Sequence, residues 1–430
     1  MNTLAAELNA CLDTSVAGRL LSGLGRRIYF PKGIIAQSAE AKDAALVNAT
    51  IGMAFQGGKP LVLSGVGESL ASLDPDKAVV YAPTAGIEPV RQAWKREILR
   101  KNPSLDPARL SLPTVVPGIT AGISYTADLF LEEGQSIIVP APCWDNYGLI
   151  FRERRGGVPV EASGFREGAR GLDLEALSRA LGEQAKTGTV RIILNFPNNP
   201  SGYTPTEAEG EAIVAMIREA AGAGADVLAL VDDAYFGLFY EEGLRRESLF
   251  AALAGLHERV LAVKLDGPTK EDYAWGFRSA FVSFGSRSLG KLQEEALGKK
   301  YMGLIRSSVS CANTPAQLLL LKTLADPRTH RERELHFGLL RERYRVVKRF
   351  IEDHPSHPVL RPLPFNSGYF MSFYCRGLDA EKLRRELLVK QGVGVIALEG
   401  GYIRVAYSSI DLEKIPGVFR IIYDTAAKLI

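Results

Sequence analysis

The sequence predicts an α/β protein: a large domain with a mostly parallel seven-stranded sheet covered by helices, plus a smaller α+β domain. Three observations predict it. Short apolar or β-branched runs recur seven times between residues 110 and 285. Helix-like stretches separate several of them, and strand, helix, strand at that spacing builds a parallel sheet. Beyond residue 285 the rhythm changes to charge-rich helical stretches with only two strand candidates.

In chain order the strand candidates are 113–116, 136–139, 158–160 (the weakest), 190–194, 226–231, 260–264 and 280–284. Helices are expected at 119–131, 174–181 and 207–221, then at 289–299, 314–324 and 329–353. The last of these is dense in charge, which fits a solvated face laced with i,i+4 pairs. Strands at 369–373 and 402–405 and helices at 379–390 and 415–428 complete the smaller domain. The first seventy residues have no place in the large sheet. The expected division is 1–70 packing with the small domain, 71–325 as the large domain and 326–430 as the small one. In such sheets ligands sit beyond the carboxyl ends of the strands, so residues there are read first for chemistry.

Composition excludes several classes. The 430 residues are 46% hydrophobic and 23% charged, so the chain can bury a large core and is not disordered as a whole. Fifty-two basic against 49 acidic residues leave a net charge of +3. That balance gives no argument for a nucleic-acid partner or an anionic membrane surface. No uninterrupted apolar run reaches about 18 residues, so no membrane span is expected. Cys11, Cys143, Cys311 and Cys375 form no CxxC pair, and a reducing cytoplasm is the expected compartment. The five histidines show no metal-binding spacing, so no metal is expected. The near-P-loop GSRSLGKL at 285–292 fails because Leu292 stands where a hydroxyl would hold magnesium.

Three segments at successive strand ends carry chemistry. Asn195-Phe-Pro-Asn-Asn-Pro-Ser-Gly202 follows the strand at 190–194. Val231-Asp232-Asp233-Ala234-Tyr235 closes the strand at 226–231. Thr269-Lys270, with Arg278 eight residues later, follows the strand at 260–264. Each alone reads as a turn, a helix cap or a pair of loop cations. All three in this order, at the ends of one parallel sheet, are harder to explain as loops.

With these segments the chain resembles the fold type I pyridoxal-phosphate enzymes, specifically the class I/II aminotransferases. The resemblance spans roughly residues 45 to 410. It also rests on Tyr81-x-Pro83-x-x-Gly86, Pro117-Gly118-Ile119-Thr120, Ala141-Pro142-Cys143-Trp144-x-x-Tyr147, Gly368-Tyr369-Phe370 and Tyr402-Ile403-Arg404-Val405. It implies a pyridoxal 5'-phosphate cofactor held by Lys270, whose freed amine then shuttles a proton. Asp232 would meet the ring nitrogen, where opposite charge favours the protonated form. Asp233 points to the other side of an extended strand and is the weaker choice. Asn199 and Tyr235 would hydrogen-bond the phenolic oxygen, and Trp144 would stack on the ring. Backbone N–H groups of Gly118, Ile119 and Thr120, with Arg278, would hold the phosphate. Arg404 suits a substrate α-carboxylate, and Gly52 would leave room for it. Tyr81 would reach the phosphate of a neighbouring subunit, which implies a homodimer with shared active sites.

The chain departs from that family at several places. Gly267 stands where a phosphate-binding serine is often found. Tyr147 replaces a histidine that often supports the ring-nitrogen aspartate. Glu271 and Asp272 directly follow Lys270 and would oppose a depressed lysine pKa unless they point away. Lys264 is the fallback lysine. Arg306, read as lying ahead of a helix, resembles the arginine that reads a distal carboxylate across the dimer in aspartate-type enzymes. The expected activity is therefore transfer of an amino group between acidic amino acids and 2-oxoglutarate. The alternatives are an aromatic or broad-specificity aminotransferase, with Tyr369 and Phe370 lining an apolar pocket, and a pyridoxal-phosphate lyase on the same scaffold.

Overall fold

The run DVLALVD at 226–232 has six of its seven residues buried. A strand apolar on both faces belongs in the middle of a sheet covered on both sides. The computed structural model describes residues 2–12, 21, 23–29, 33–166, 168 and 171–430. Parts of the expected N-terminal segment (1, 13–20, 22 and 30–32) lie outside the described residues. The large sheet has seven strands: β1 (Thr114–Val116), β2 (Ser136–Ala141), β3 (Val158–Ser163), β4 (Thr189–Asn195), β5 (Asp226–Asp232), β6 (Val260–Asp266) and β7 (Ala280–Gly285). Their spatial order is β1-β7-β6-β5-β4-β2-β3. Only β7 runs against its neighbours. The other pairings, from β6 to β3, are parallel.

Helices α1 (Glu88–Lys101), α2 (Ile119–Phe130), α3 (Leu174–Ala185) and α4 (Glu207–Gly222) accompany this sheet. Local sequence sets their starts. Thr206 and Glu209 form a reciprocal capping box at α4, so two N–H groups that the helix cannot satisfy are bonded. Alternate strand residues enter two cores. Ile192 and Leu194 pack with Trp94, Phe250 and Phe281 on one face. Ile193, Leu230 and Leu265 pack with Ile123 and Phe151 on the other.

The chain continues through α5 (Lys291–Ser308), α6 (Thr314–Ala325) and α7 (Pro327–Asp353). The sequence suggested a shorter helix at 289–299. Gly298 and Gly303 weaken the local helical signal, but Tyr301 and Ile305 are buried, and Tyr301 Oη donates to Gly122 O on α2 at 2.8 Å. Tertiary packing extends α5, so Arg306 sits in its last turn rather than ahead of a helix. A second sheet holds β8 (Leu360–Pro362), β9 (Met371–Cys375), β10 (Ile396–Leu398) and β11 (Tyr402–Val405), in the order β8-β9-β11-β10. Only β9 and β11 were expected. The other two are three residues long, too short for a periodic signal. Helices α8 (Ala380–Gln391) and α9 (Ile415–Ala427) pack with them in a third core built around Phe373, Leu383, Ile403 and Phe419. Ala49, Leu61, Leu63 and Val66 join that core. Val47–Asn48 also pairs in parallel with Val393–Gly394. Among the described residues no helix is long and apolar enough to cross a membrane.

Candidate active site

The carboxyl ends of β4, β5 and β6 lie side by side, and register decides what they share. Asn195 is level with Asp232, so the two side chains leave the sheet in one direction. Asn195 Nδ2 donates to the Asp232 carbonyl at 2.9 Å, and its Oδ1 accepts from Asn199 N at 2.8 Å. The NNPSG loop is thereby hung on the strand end that carries the aspartate. Its far side is fixed by Gly202, whose carbonyl accepts from the N–H groups of Asn366 and Ser367 at 2.9 Å each. Gly202 has φ +76°, and a Cβ there would collide with the Phe370 carbonyl, so only glycine fits.

Asp232 is buried. Tyr147 Oη donates to its Oδ2 at 2.5 Å and the Ala234 N–H to its Oδ1 at 3.2 Å. Burial pushes the carboxyl up to about 6, and the Tyr147 bond pulls the other way. The phenol that replaces the family's histidine therefore makes the supporting contact with the aspartate. Because the folded pKa is raised, this group's contribution to stability falls as pH rises from about 4 to 6. Tyr147→Phe removes a donor from the ionised form. At pH 8 the cofactor-free variant should lose about 1.5–3 kcal/mol in urea unfolding, and clearly less at pH 5. Equal losses at the two pH values would show that the bond does not serve the charged carboxylate.

Lys270 lies in the single turn Pro268–Glu271 that follows β6. Burial, first, and the charges of Arg278 and Arg404 lower its pKa to about 8, against the opposing pull of Asp232. Tyr369 Oη donates to the Lys270 carbonyl at 2.9 Å and so anchors the backbone of that turn. The acidic neighbours point away. Glu271 is paired with Lys101 and Asp272 with Arg333. Lys264 is held on the opposite face by Asp233 and Asp266 and does not share this cavity.

The same cavity lining includes a candidate anion seat. Gly118, with φ +91°, turns the chain from β1 into α2, and a side chain there would collide with the Arg278 guanidinium. The Gly118 N–H is taken by Val116 O at 2.8 Å. Of the three N–H groups expected to face an anion, Ile119 and Thr120 therefore remain, at the positions where a helix leaves donors without intrahelical partners. Ile119, Thr120, Trp144 and Asn199 line one cavity of about 130 Å³ together with Asp232, Tyr235, Lys270 and Arg278. Thr269, which opens the Thr269-Lys270 segment but was given no role of its own, lines it too.

The remaining sequence candidates fall into two groups. Arg404 is buried behind Asn199. Its Nη1 donates to Asn199 Oδ1 at 3.0 Å, its Nη2 to Thr50 O at 2.9 Å, and it lies 4.2 Å from the Phe370 ring centroid. With Oδ1 engaged, the amide nitrogen is the end of Asn199 left to donate. A Cβ on Gly52 would lie 3.4 Å from Phe370 and 3.6 Å from Tyr235 Oη, so Gly52 belongs to the same neighbourhood. Phe370 and Tyr369 are buried behind Tyr235, with ring centroids 5.4 Å from it, and do not form the cavity wall. Tyr81, 90% exposed, and Arg306 are on the surface and do not line this chain's cavity.

The donor set fits pyridoxal phosphate. A cation, a helix start, a buried carboxylate and an amine with a depressed pKa line one cavity. Among the described residues Arg404 Nε is buried without a hydrogen-bond partner, so it is open to an acceptor such as a carboxylate oxygen. A parallel sheet that gathers these groups at its carboxyl edge defines a pyridoxal-phosphate enzyme. Residues 55–428 match the family aminotransferase class I and II, and the chain belongs to it.

The chain is 26% identical, over 355 residues, to a probable aspartate/prephenate aminotransferase of Aquifex aeolicus. That match covers 79% of this chain and 82% of the relative. It is 25% identical to aromatic-amino-acid aminotransferase 2 of Thermococcus litoralis, covering 76% of this chain and 79% of the relative. A solved aminotransferase structure from Anaerococcus prevotii superposes with a TM-score of 0.81 at 23% identity, covering 93% of this chain and 98% of that one. The aspartate aminotransferase of Thermus thermophilus solved with maleate gives 0.73 at 22% identity, covering 95% and 100%. These two structures share the fold. The protein is thus a pyridoxal-phosphate-dependent aminotransferase.

Proposed function

We propose that this aminotransferase moves the amino group between an acidic L-amino acid and a 2-oxo acid, using Lys270, Asp232 and Arg278 around one cavity and Arg404 behind its Asn199 wall. The observation that carries the site assignment is the convergence of Lys270, Asp232 and Arg278 on that cavity. When bound, the cofactor supplies an electron sink for the substrate's α-carbon. Lys270 would carry the proton between that carbon and the cofactor's imine carbon, a task suited to an amine with a pKa near 8. Asp232 holds a proton on the ring nitrogen. Asn199 and Tyr235 donate to the phenolic oxygen, and Trp144 covers a ring face. Arg278 and the N–H groups of Ile119 and Thr120 hold the phosphate. Arg404 binds the substrate α-carboxylate, with Gly52 leaving space beside it.

The same reading makes the protein a cytoplasmic homodimer divided at about residues 70 and 325. The exposed run Val79-Val80-Tyr81 supports the dimer, since an apolar patch of this kind is commonly covered. Tyr81 would then meet the partner's phosphate. Arg306, exposed at the end of α5, would read the distal carboxylate of a substrate in the partner's cavity.

Specificity is tested at Arg306. Removing a charged, bidentate partner of one substrate carboxylate weakens discrimination strongly. Arg306→Ala should lower kcat/KM for aspartate by about 100-fold and leave phenylalanine within about threefold. Equal effects on both would favour the second reading, an aromatic or broad-specificity enzyme, which the similarity to an aromatic-amino-acid aminotransferase supports. Free ammonia released in a single turnover, with the cofactor left in its aldehyde form rather than aminated, would identify a lyase instead.

A further inference from the structure

Two carboxylates follow the catalytic lysine directly, and each is drawn aside by a cation from a different element. Glu271 pairs with Lys101 at the end of α1, and Lys101 Nζ lies 5.1 Å from the Trp94 ring centroid. Asp272, 2% exposed, pairs with Arg333 on α7. Arg333 Nη1 also lies 3.8 Å from Glu97 Oε2 on α1. The Asp272 N–H closes the lysine turn on Pro268 O at 2.8 Å. Tyr273 follows with φ +55°, and its ring meets the edge of His336 on α7 at 4.8 Å between centroids. A non-glycine residue in that region persists only where its surroundings hold it. Among the described residues Asp272 Oδ2 and Arg333 Nη2 are buried without partners, so a single bond from Arg333 Nε to Asp272 Oδ1 rather than a bidentate fork joins the pair.

We propose that Arg333 is a positioning residue for transamination: by binding Asp272 it withdraws that carboxylate from the Lys270 ammonium and ties the lysine turn to α7. The proposal rests on Lys270 being the cofactor lysine. The charged groups that act on Lys270 are Arg278, Asp232 and Arg404, and neither Glu271 nor Asp272 is among them. Asp272 is faced by Arg333, Glu271 and Lys101, and Arg333 in turn by Asp272, Glu271 and Glu97. Without Arg333, a buried carboxylate two residues from Lys270 is free to stabilise its charged form. A smaller fraction of the lysine is then the neutral amine at neutral pH.

The test measures the titration of Lys270 in the cofactor-free full chain, by pH-dependent acetylation with acetic anhydride and mass spectrometry of the lysine peptide. The wild-type midpoint is expected near 8. Arg333→Met should raise it by about one unit, which is about a tenfold loss of neutral amine. Asp272→Asn, which removes the guanidinium's hydrogen-bonded carboxylate and leaves it only Glu271 and Glu97, should lower it by about half a unit. The double variant Arg333→Met/Asp272→Asn should return to within about 0.3 unit of wild type. Unshifted single variants, or a double variant as shifted as Arg333→Met, overturn the proposal. If Arg333→Met fails to fold, the direction of the Asp272→Asn shift decides alone. Borohydride reduction and peptide mapping of the loaded wild type tests Lys270 as the cofactor lysine separately, because the midpoint is read without cofactor.

Discussion

Lys270→Ala should lower transamination by at least about 10⁴-fold, because on the proposed assignment it would remove both the covalent anchor of the cofactor and the proton carrier. Lys270→Arg should be as inactive, since a guanidinium stays protonated and cannot accept the α-proton. Loss of activity through unfolding is separable by its pH dependence. The folded pKa of Lys270 is depressed to about 8. Below that value the fold holds a buried ammonium at a cost, and between about 8 and 10.5 the unfolded chain binds more protons, so wild-type stability gains with pH across that window. Lys270→Ala lacks this slope and should match or exceed wild-type stability at pH 7, measured by urea unfolding. Borohydride should leave no cofactor adduct on the variant. An adduct that moves to Lys264, or substantial residual turnover, would refute the assignment of the lysine.

The sequence carries most of this site because parallel strands end sharply and their last residues face the ligand crevice. Asn195 to Gly202, Asp232 to Tyr235 and Lys270 each follow an apolar run whose end is visible without structure. What escapes the sequence acts across distance or through the backbone. Glu271 and Asp272 are troubling neighbours of Lys270 when read along the chain. Their partners Lys101 and Arg333 lie 170 and 61 residues away and belong to helices that carry many similar charges. Tyr369 matters through one bond to the Lys270 carbonyl, which no residue pattern encodes. Gly118 was expected to give its N–H to an anion, but its role is conformational, because the local turn already uses that N–H. The strands β8 and β10 are formed by pairing, not by their own alternation.

Lys264 is the other buried lysine at this sheet edge, and its substitution should cost stability rather than chemistry. It lies on β6 level with Val231, so it shares the face of Val231 and Asp233, opposite to that of Asp232. It is 1% exposed, paired with Asp233 and 3.4 Å from Asp266 Oδ2. Ser248 Oγ donates to Asp233 Oδ2 at 2.6 Å and Trp94 Nε1 to Asp266 Oδ1 at 2.9 Å, so the cluster is well bonded. Lys264→Met leaves two buried carboxylates without their cation and should cost about 3–5 kcal/mol in urea unfolding at pH 8. Burial already raises the Asp233 pKa, against the pull of Lys264. Losing the lysine raises it further, so protonation should relieve the penalty as pH falls toward 5. Adding Asp233→Asn should recover part of the loss, since it removes one of the stranded charges. A Lys264→Met variant of wild-type stability would show that the pair is dispensable. Asp233 also raises the pKa of adjacent Asp232. By neutralising Asp233, Lys264 limits a second negative charge beside the carboxylate that must stay ionised. Of two lysines six residues apart, Lys264 on the strand thus compensates buried charge, whereas Lys270 in the turn beyond it has no ion pair among the described residues, as the proposed reactive amine requires.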